Sequence, residues 1–110
     1  MPHAPYLRAP SGPVVALVAG RIGGIGFGDG AGAGARFFHP RGTAFYGGNL
    51  YVADMNNHVI RKIVPSTGVV STIAGKPLAS GSADGIGAAA RFNRPHGLCS
   101  YGAGNLYVAD

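Results

Sequence analysis

Cysteine, tryptophan and charged residues are scarce in this sequence. Its 110 residues include one cysteine, Cys99, and no tryptophan, and only 12% of them are charged. A single cysteine excludes an internal disulfide framework and leaves the redox compartment open. No apolar run reaches the roughly 18 residues of a membrane-spanning helix. The segment from Met1 to Tyr6 lacks the basic-then-apolar order of a signal peptide, so the sequence gives no cellular location.

Glycine and proline are abundant instead. The chain contains 20 glycines and 8 prolines, which predicts short elements joined by many turns. Its length allows at most one ordinary domain, and a hydrophobic content of 46% is enough for a packed core. Residues 1–13 are rich in proline and have no periodic pattern. We therefore expect a flexible lead-in at 1–13 and a domain at 14–110.

The chain contains an internal repeat. Three segments occur twice in the same order, and the second copy has one additional residue, Ala103. The matching pairs are Val15–Gly20 with Val70–Gly75, Asp29–Phe37 with Asp84–Phe92, and Asn49–Asp54 with Asn105–Asp110. A repeat of this length indicates an architecture in which one supersecondary unit recurs.

Each unit is predicted to contain four short antiparallel strands. Runs of β-branched and aromatic residues between glycine, proline, asparagine and aspartate are typical of strands and hairpins. The predicted strands in and before the complete unit are Val14–Ala19, Thr43–Phe45, Leu50–Ala53, Val59–Val64 and Val69–Ala74. The repeat adds the first two strands of a further unit. The glycine- and alanine-rich residues 20–36 are predicted to be a long loop, with one helical turn at Ala33–Phe37.

The predicted strands are apolar on both faces. In the second strand of the unit, Leu50 and Val52 alternate with Tyr51 and Ala53, so neither face is polar. Repeated four-stranded sheets that are covered on both faces are typical of β-propeller blades. We therefore expect an all-β fold of four-stranded antiparallel meanders. It contains the last strand of one blade, a full blade at about residues 40–75, and the first two strands of the next.

The repeat resembles the NHL repeat family of β-propellers. The family pattern runs from Pro-x-Gly through a Val-Ala-Asp strand and an Asn-His segment to a strand that ends in Ala-Gly. The corresponding segments of this sequence are Pro40–Gly42, Leu50–Asp54, Asn57–Ile63 and Val70–Gly75. The Asp-Gly-x-Gly-x-x-Ala-Arg-Phe loop resembles the longer variants of the repeat. The resemblance extends over residues 14–110.

At the level of the family, the resemblance implies a non-catalytic interaction scaffold whose rim loops contact a protein or a ligand. No cofactor is expected. Two alternatives stay open: RNA binding on a basic rim, and a propeller enzyme of lyase or lactonase type whose active site lies in other blades. Family propellers have about six blades, and closure needs about four, so this sequence is interpreted as a partial chain. Its exposed strand edges and apolar faces predict self-association.

Several basic residues fall in or next to the loops that would form the propeller rim. The net charge of +5 favours anionic partners. These residues recur at matching positions of the repeat, so they do not form a separate nucleic-acid-binding arm. The candidate rim contacts are Arg21, His39, Arg41, Arg94 and His96. Aromatic residues that would strengthen RNA binding by stacking are limited to Phe27 and Phe38.

The carboxylates are all aspartates at repeat-equivalent positions, Asp29 with Asp84 and Asp54 with Asp110. A catalytic acid or base is usually one residue in one special environment, so we interpret these aspartates as structural. Asp54 is expected to accept hydrogen bonds from the backbone amides of the turn after its strand. The Asp29 and Asp84 positions are expected to cap the turn that follows, or to pair with Arg36 and Arg91.

Other motifs carry weaker functional signals. Gly30–Ala35 fits a dinucleotide-binding glycine pattern, but Pro40 prevents the full helix that such a site needs. Gly23–Asp29 resembles a calcium-binding nonapeptide with its aspartate displaced by one position. The histidines have no second ligand at metal spacing, so no metal ligand and no catalytic residue is assigned. The expected position of Cys99 is buried in an innermost strand, as a small hydrophobe aligned with Ala44.

Overall fold

The structure, a computed structural model, describes residues 18–20, 24–100 and 105–110. These residues form β-strands, short 3-10 helices and turns, and no α-helix occurs among them. The strands are β1 Gly30–Ala31, β2 Pro40–Tyr46, β3 Asn49–Asp54, β4 Val59–Val64, β5 Val69–Gly75, β6 Gly97–Ser100 and β7 Leu106–Ala109. The 3-10 helices are Gly32–Gly34, Met55–Asn57 and Gly87–Ala89. The predicted all-β fold class is confirmed.

Strands β2 to β5 form the predicted antiparallel meander. The strand order in this sheet is β1-β5-β4-β3-β2, with every neighbouring pair antiparallel. Gly47 and Gly48 form the turn between β2 and β3, with φ angles of 58° and 83°. Two positive φ angles are what a tight two-residue hairpin requires, and glycine adopts them without steric cost. The sheet is therefore a four-stranded blade with one additional short strand.

The second copy of the repeat packs against this blade. Strands β6 and β7 form a separate antiparallel pair, and β6 lies beside β2 and β3. The two copies approach each other closely at Gly42, because a Cβ atom there would lie 2.2 Å from the backbone oxygen of His96. A side chain at this position would separate the two copies.

Both faces of the blade bury apolar side chains, as the apolar pattern predicts. On one face, Val52, Ile63 and Val70 pack with Ala35 from the glycine-rich loop. Ala53 is also completely buried, and it lies on the opposite face because side chains alternate along a strand. In the segment from β5 to β6, the 3-10 helix Gly87–Ala89 lies close to β5. The loop of the first copy thus packs on one face of the sheet, and the corresponding loop of the second copy lies beside β5.

Two local predictions in the glycine-rich loop are wrong. The structure places the helical turn at Gly32–Gly34 instead of Ala33–Phe37, because Ala35 has extended backbone angles and ends it. The loop also contains β1, which pairs with Val69 and Val70 of β5. The outer strand of the blade, β5, is therefore paired at Val69 and Val70.

Other predictions concern residues that the structure does not describe. The lead-in at 1–13 and most of the predicted strand Val14–Ala19 lie outside the described residues, so the division at residue 14 stays a prediction. Val18 and Ala19, which are described, are not in a strand. In the described part of the chain, no helix is long and apolar enough to cross a bilayer.

Candidate interaction surface

The strand register places several basic loop residues at one edge of the blade. Asp54 of β3 pairs with Pro40 of β2 and with Val59 of β4, and Val59 pairs with Gly75 of β5. The loops that flank these four positions therefore meet at a single edge. We call the basic residues in or next to these loops the basic rim, which consists of His39, Arg41, His58, Lys76, Arg94 and His96.

The second copy contributes to this edge through backbone contacts. His96 donates its backbone N–H to the carbonyl of Ala109, 3.0 Å away, at the end of the β6–β7 pair. The backbone N–H of Arg94 donates to Nδ1 of His58 at 3.0 Å. That bond ties the loop before β6 to the turn before β4. It therefore holds basic residues from both copies at a fixed relative position.

His39 and Arg94 occupy matching positions and adopt the same unusual backbone conformation. Their φ angles are 55° and 54°, in the left-handed region that residues other than glycine seldom adopt. Both side chains are exposed, and each residue precedes a proline. The His39 ring lies 5.6 Å from the ring of Phe38, at 39°. The repeat thus presents one exposed basic side chain per copy at this turn.

The formal positive charges at this edge are those of Arg41, Lys76 and Arg94, because the histidines count as neutral. The loops at the opposite end of the blade, 46–49 and 64–69, contain no charged residue. At the basic rim, Asp54 is completely buried and paired with Arg61, whereas Asp110 is exposed at the end of the second copy. A cluster of like charge raises the local concentration of oppositely charged partners. The rim is therefore the part of the described surface best suited to an anionic ligand.

The structure brings four of the five predicted rim residues to this edge. His39, Arg41, Arg94 and His96 are all exposed there, while Arg21 lies outside the described residues. Sequence reasoning missed two members, His58 and Lys76. Lys76 matches Arg21 in the repeat, so that alignment contained the signal for it. Whether these residues contact a partner stays a prediction.

Beneath the basic rim, Asp54 is the centre of a buried polar network. One carboxylate oxygen accepts a bond from the backbone N–H of Phe38 at 2.8 Å. The other accepts bonds from Nδ2 of Asn57 at 2.7 Å and from Arg61 at 2.9 Å. The prediction that Asp54 binds amides of the turn after its strand is wrong, because its backbone donor precedes β2. The network instead joins the end of β3 to the segment that precedes β2.

Arg61 connects this network to the glycine-rich loop. Its guanidinium donates to the backbone oxygens of Arg36 and Gly28 and to the carboxylate of Asp29. It also lies 5.0 Å from the centre of the Phe37 ring, within the range of a cation–π contact. All the donors except Nε thus have acceptors, which compensates in part for burying the charge.

The predicted pairing of Asp29 with Arg36 is wrong. Asp29 accepts bonds from Arg61 and from Oγ1 of Thr72, each at 2.9 Å. Arg36 instead donates to backbone oxygens of its own loop, those of Ala33 and Ala35. Arg61 lies on β4 and Thr72 lies on β5, so Asp29 bonds to the sheet instead of to its neighbours in the loop. The corresponding Arg91 likewise donates to its own loop.

Cys99 is exposed, so the prediction of a buried cysteine is wrong. The matching residue, Ala44, lies on β2, which β6 covers. In the described part of the chain, no further sheet covers β6 in the same way. No group of three metal-ligating side chains occurs in the residues that the structure describes.

Comparison with curated relatives shows the family of this chain. No family model matches the sequence. Over 85 residues, or 74% of this chain, the sequence is 41% identical to NHL repeat-containing protein 2 of Bos taurus. The chain belongs to the NHL repeat family. This NHL repeat chain spans 12% of the length of that curated relative.

Solved structures show the same architecture in longer proteins. The NHL repeat chain matches a structural genomics protein of unknown function from Bacteroides thetaiotaomicron with a TM-score of 0.78 and 31% identity, over 84% of this chain and 24% of the other. It matches an auxiliary nutrient binding protein from the same organism with a TM-score of 0.66 and 35% identity, over 74% and 22%. The region that matches this NHL repeat chain is thus less than a quarter of each of those proteins.

Proposed function

We propose that this NHL repeat chain is part of a non-catalytic binding scaffold whose basic rim contacts an acidic surface of a partner protein. The observation that carries the proposal is the collection of exposed basic side chains from both copies of the repeat at one edge of the blade. The opposite edge has uncharged loops. One structural neighbour is described as an auxiliary nutrient binding protein, which supports binding as the class of function.

The arrangement of carboxylates also favours binding over catalysis. A general acid or base must be free to reach a substrate. In the complete blade, Asp54 is buried against Arg61, and Asp29 is engaged by Arg61 and Thr72. These aspartates hold the loop to the sheet. A structural role thus accounts for both aspartates of the complete blade.

The rim offers several exposed charged side chains along one edge, which suits a protein partner. Charged residues at an exposed rim act mainly on the association rate and on the choice of partner. RNA is the second candidate, because Phe38 lies beside His39 and aromatic rings next to cations stack on bases. One ring is a small platform, so the acidic protein surface is the stronger proposal.

Binding of two anionic probes distinguishes these functions. A labelled oligoglutamate peptide and a labelled oligouridine RNA are titrated with the chain at several salt concentrations. We expect the peptide to bind more tightly than the RNA, with an affinity that decreases as salt screens the charges. Arg41→Gln and Arg94→Gln each weaken binding by about threefold to tenfold, corresponding to about 0.7–1.4 kcal/mol.

Lys62→Gln is the matched control, because it removes one positive charge from the middle of β4. We expect its affinity for the peptide to equal that of the parent chain. Tighter binding of oligouridine that depends on Arg41 and Arg94 would instead support the RNA function. If neither probe distinguishes the rim variants from Lys62→Gln, the basic rim is not a binding surface.

A further inference from the structure

Two histidines bind the backbone of Arg94 in opposite hydrogen-bonding roles. Nδ1 of His58 accepts the backbone N–H of Arg94 at 3.0 Å, so this nitrogen carries no proton. Nδ1 of His96 lies 2.8 Å from the backbone oxygen of Arg94, and it must donate because a carbonyl oxygen only accepts. The two neutral rings are therefore different tautomers, with the proton of His58 on Nε2 and that of His96 on Nδ1.

Arg94 needs these bonds because its backbone conformation is unfavourable. Its φ angle of 54° lies in the left-handed region, and Pro95 follows it. A proline disfavours helical backbone angles in the residue before it and favours extended ones. A residue in such a conformation keeps it only where its surroundings hold it. Here the two histidine bonds and the fully buried Pro95 provide that support.

The bond between His58 and Arg94 lies at the junction of the two copies of the repeat. His58 belongs to the turn before β4, and Arg94 belongs to the loop before β6. That turn is itself packed closely, because a Cβ atom at Gly75 would lie 2.6 Å from the backbone oxygen of His58. The backbone N–H of Leu78 also donates to the carbonyl of Asn57 at 3.1 Å. The His58 ring is therefore attached to a fixed turn, and a change in the ring acts on the loop.

The charged groups on the segments around His58 do not provide it with an ion-pair partner. Among the described residues, no ion pair includes His58. Asp54 is paired with Arg61, and Asp110 accepts the backbone N–H of Asn93. The charged and titratable residues of these segments are His39, Asp54, Arg61, Lys76, Arg94, His96 and Asp110. A proton on His58 therefore adds positive charge next to Arg94 instead of completing an ion pair.

We propose that His58 is a pH-sensitive link between the two copies of the repeat, closed when its imidazole is neutral and open when it is protonated. Protonation places a hydrogen on Nδ1, which then cannot accept the backbone N–H of Arg94. The bond from His96 is kept, because its Nδ1 already carries a proton. Histidine changes its charge between about pH 5 and pH 8, so the link opens in a mildly acidic medium. This inference does not rest on the proposed function.

The tautomers are measured first, on the full chain with isotope-labelled histidine. At about pH 7.5, nitrogen–proton correlation spectra distinguish the ring nitrogen that carries the proton from the one that does not. We expect the proton on Nε2 of His58 and on Nδ1 of His96. During acidification, the amide proton of Arg94 should shift with the same midpoint as the His58 ring. A neutral His58 with its proton on Nδ1 would overturn the proposal.

Hydrogen exchange then measures the link itself. The protection of the Arg94 amide, corrected for the pH dependence of intrinsic exchange, is compared at about pH 7.5 and about pH 5. Loss of one hydrogen bond should lower this protection about threefold to tenfold. The amide of Ile63 in β4 is the internal reference, and its protection should change by less than about twofold.

His58→Asn is the variant that separates titration from structure. The amide oxygen of asparagine is attached to Cγ, as Nδ1 is in histidine, and it accepts a hydrogen bond at every pH. Asparagine also tolerates the left-handed conformation that His58 adopts, with a φ angle of 60°. We expect the Arg94 amide of this variant to stay protected at both pH values. His39→Asn is the matched control, because it removes a histidine from another turn of the same edge and should keep the pH dependence of the parent chain.

Three exchange results would overturn the proposal. The Arg94 amide of the parent chain is equally protected at both pH values, the His58→Asn chain loses as much protection on acidification as the parent, or the His39→Asn chain loses the pH dependence. The tautomers and the shared midpoint are measured on the parent chain. They decide the outcome even if His58→Asn does not fold.

Discussion

Arg61 and Asp54 form an ion pair in which both side chains are completely buried, with Nη1 and Oδ2 2.9 Å apart. Arg61 lies on β4 and Asp54 ends β3, so the pair spans two neighbouring strands. The guanidinium also reaches the backbone of the glycine-rich loop. One arginine therefore fastens the loop to the sheet in the complete blade.

Removing Arg61 is predicted to be strongly destabilising. The Arg61→Met variant leaves the buried carboxylate of Asp54 without its cation, and breaking one side of a buried pair costs about 3–5 kcal/mol. Urea denaturation followed by circular dichroism measures the free energy of unfolding. Lys62→Met, next in sequence and partly exposed, is expected to change it by less than about 0.5 kcal/mol. A loss under about 1 kcal/mol for Arg61→Met would contradict a central role for the pair.

The two equivalent aspartates Asp29 and Asp84 are predicted to differ in their effect on stability. Asp29 bonds to Arg61 and Thr72, but its side chain is 54% exposed, so Asp29→Asn is expected to cost only about 0.5–1 kcal/mol. Asp84→Asn removes the same charge where no equivalent arginine occurs in the described chain, and we expect no measurable change. The comparison uses thermal unfolding of both variants under one set of conditions. Equal destabilisation would show that the difference in partners has no energetic consequence.

Gly42→Ala is predicted to separate the second copy from the blade. The added Cβ atom would lie 2.2 Å from the backbone oxygen of His96, and relieving such overlap typically costs about 1–3 kcal/mol. Hydrogen exchange of the β6 amides measures the effect locally, and exchange should accelerate there before it does in β4. Gly28→Ala is the control, because a Cβ atom at Gly28 meets nothing within 4 Å. Unchanged β6 protection in Gly42→Ala would rule out close packing at this point.

The isolated chain is predicted to self-associate. Strand β7 has one unpaired side among the described residues, and Tyr107 on it is 52% exposed. Exposed strand edges pair with other chains. Size-exclusion chromatography with light scattering, in reducing buffer because Cys99 is exposed, should give a mass above the 11.1 kDa of one chain.

A charge on that strand should reduce the association. Tyr107→Lys is expected to shift the chain toward a single-chain mass, because edge lysines oppose pairing. Ile86→Lys is the control, since Ile86 is 93% exposed but lies in a loop. A parent chain that runs as a clean monomer would contradict the prediction, as would an equal response of both variants.

The sequence by itself determined the strands and the family. Alternating apolar residues and the turn residues between them act within a few positions of each other, and the repeat doubles that information. The four strands β2 to β5 were therefore predictable, as were their antiparallel order and the buried apolar residues on each face. The positions of His39, Arg41, Arg94 and His96 in or next to the loops follow from the same local pattern.

Only the tertiary structure decided which distant groups meet. Asp29 and Arg61 are far apart in sequence, and their contact depends on where the glycine-rich loop crosses the sheet. The pairing of β1 with β5, the donor that Phe38 offers to Asp54 and the exposure of Cys99 have the same origin. Local patterns fix the conformation of a segment, but the partner of a buried charge is chosen by the register and packing of the assembled sheet.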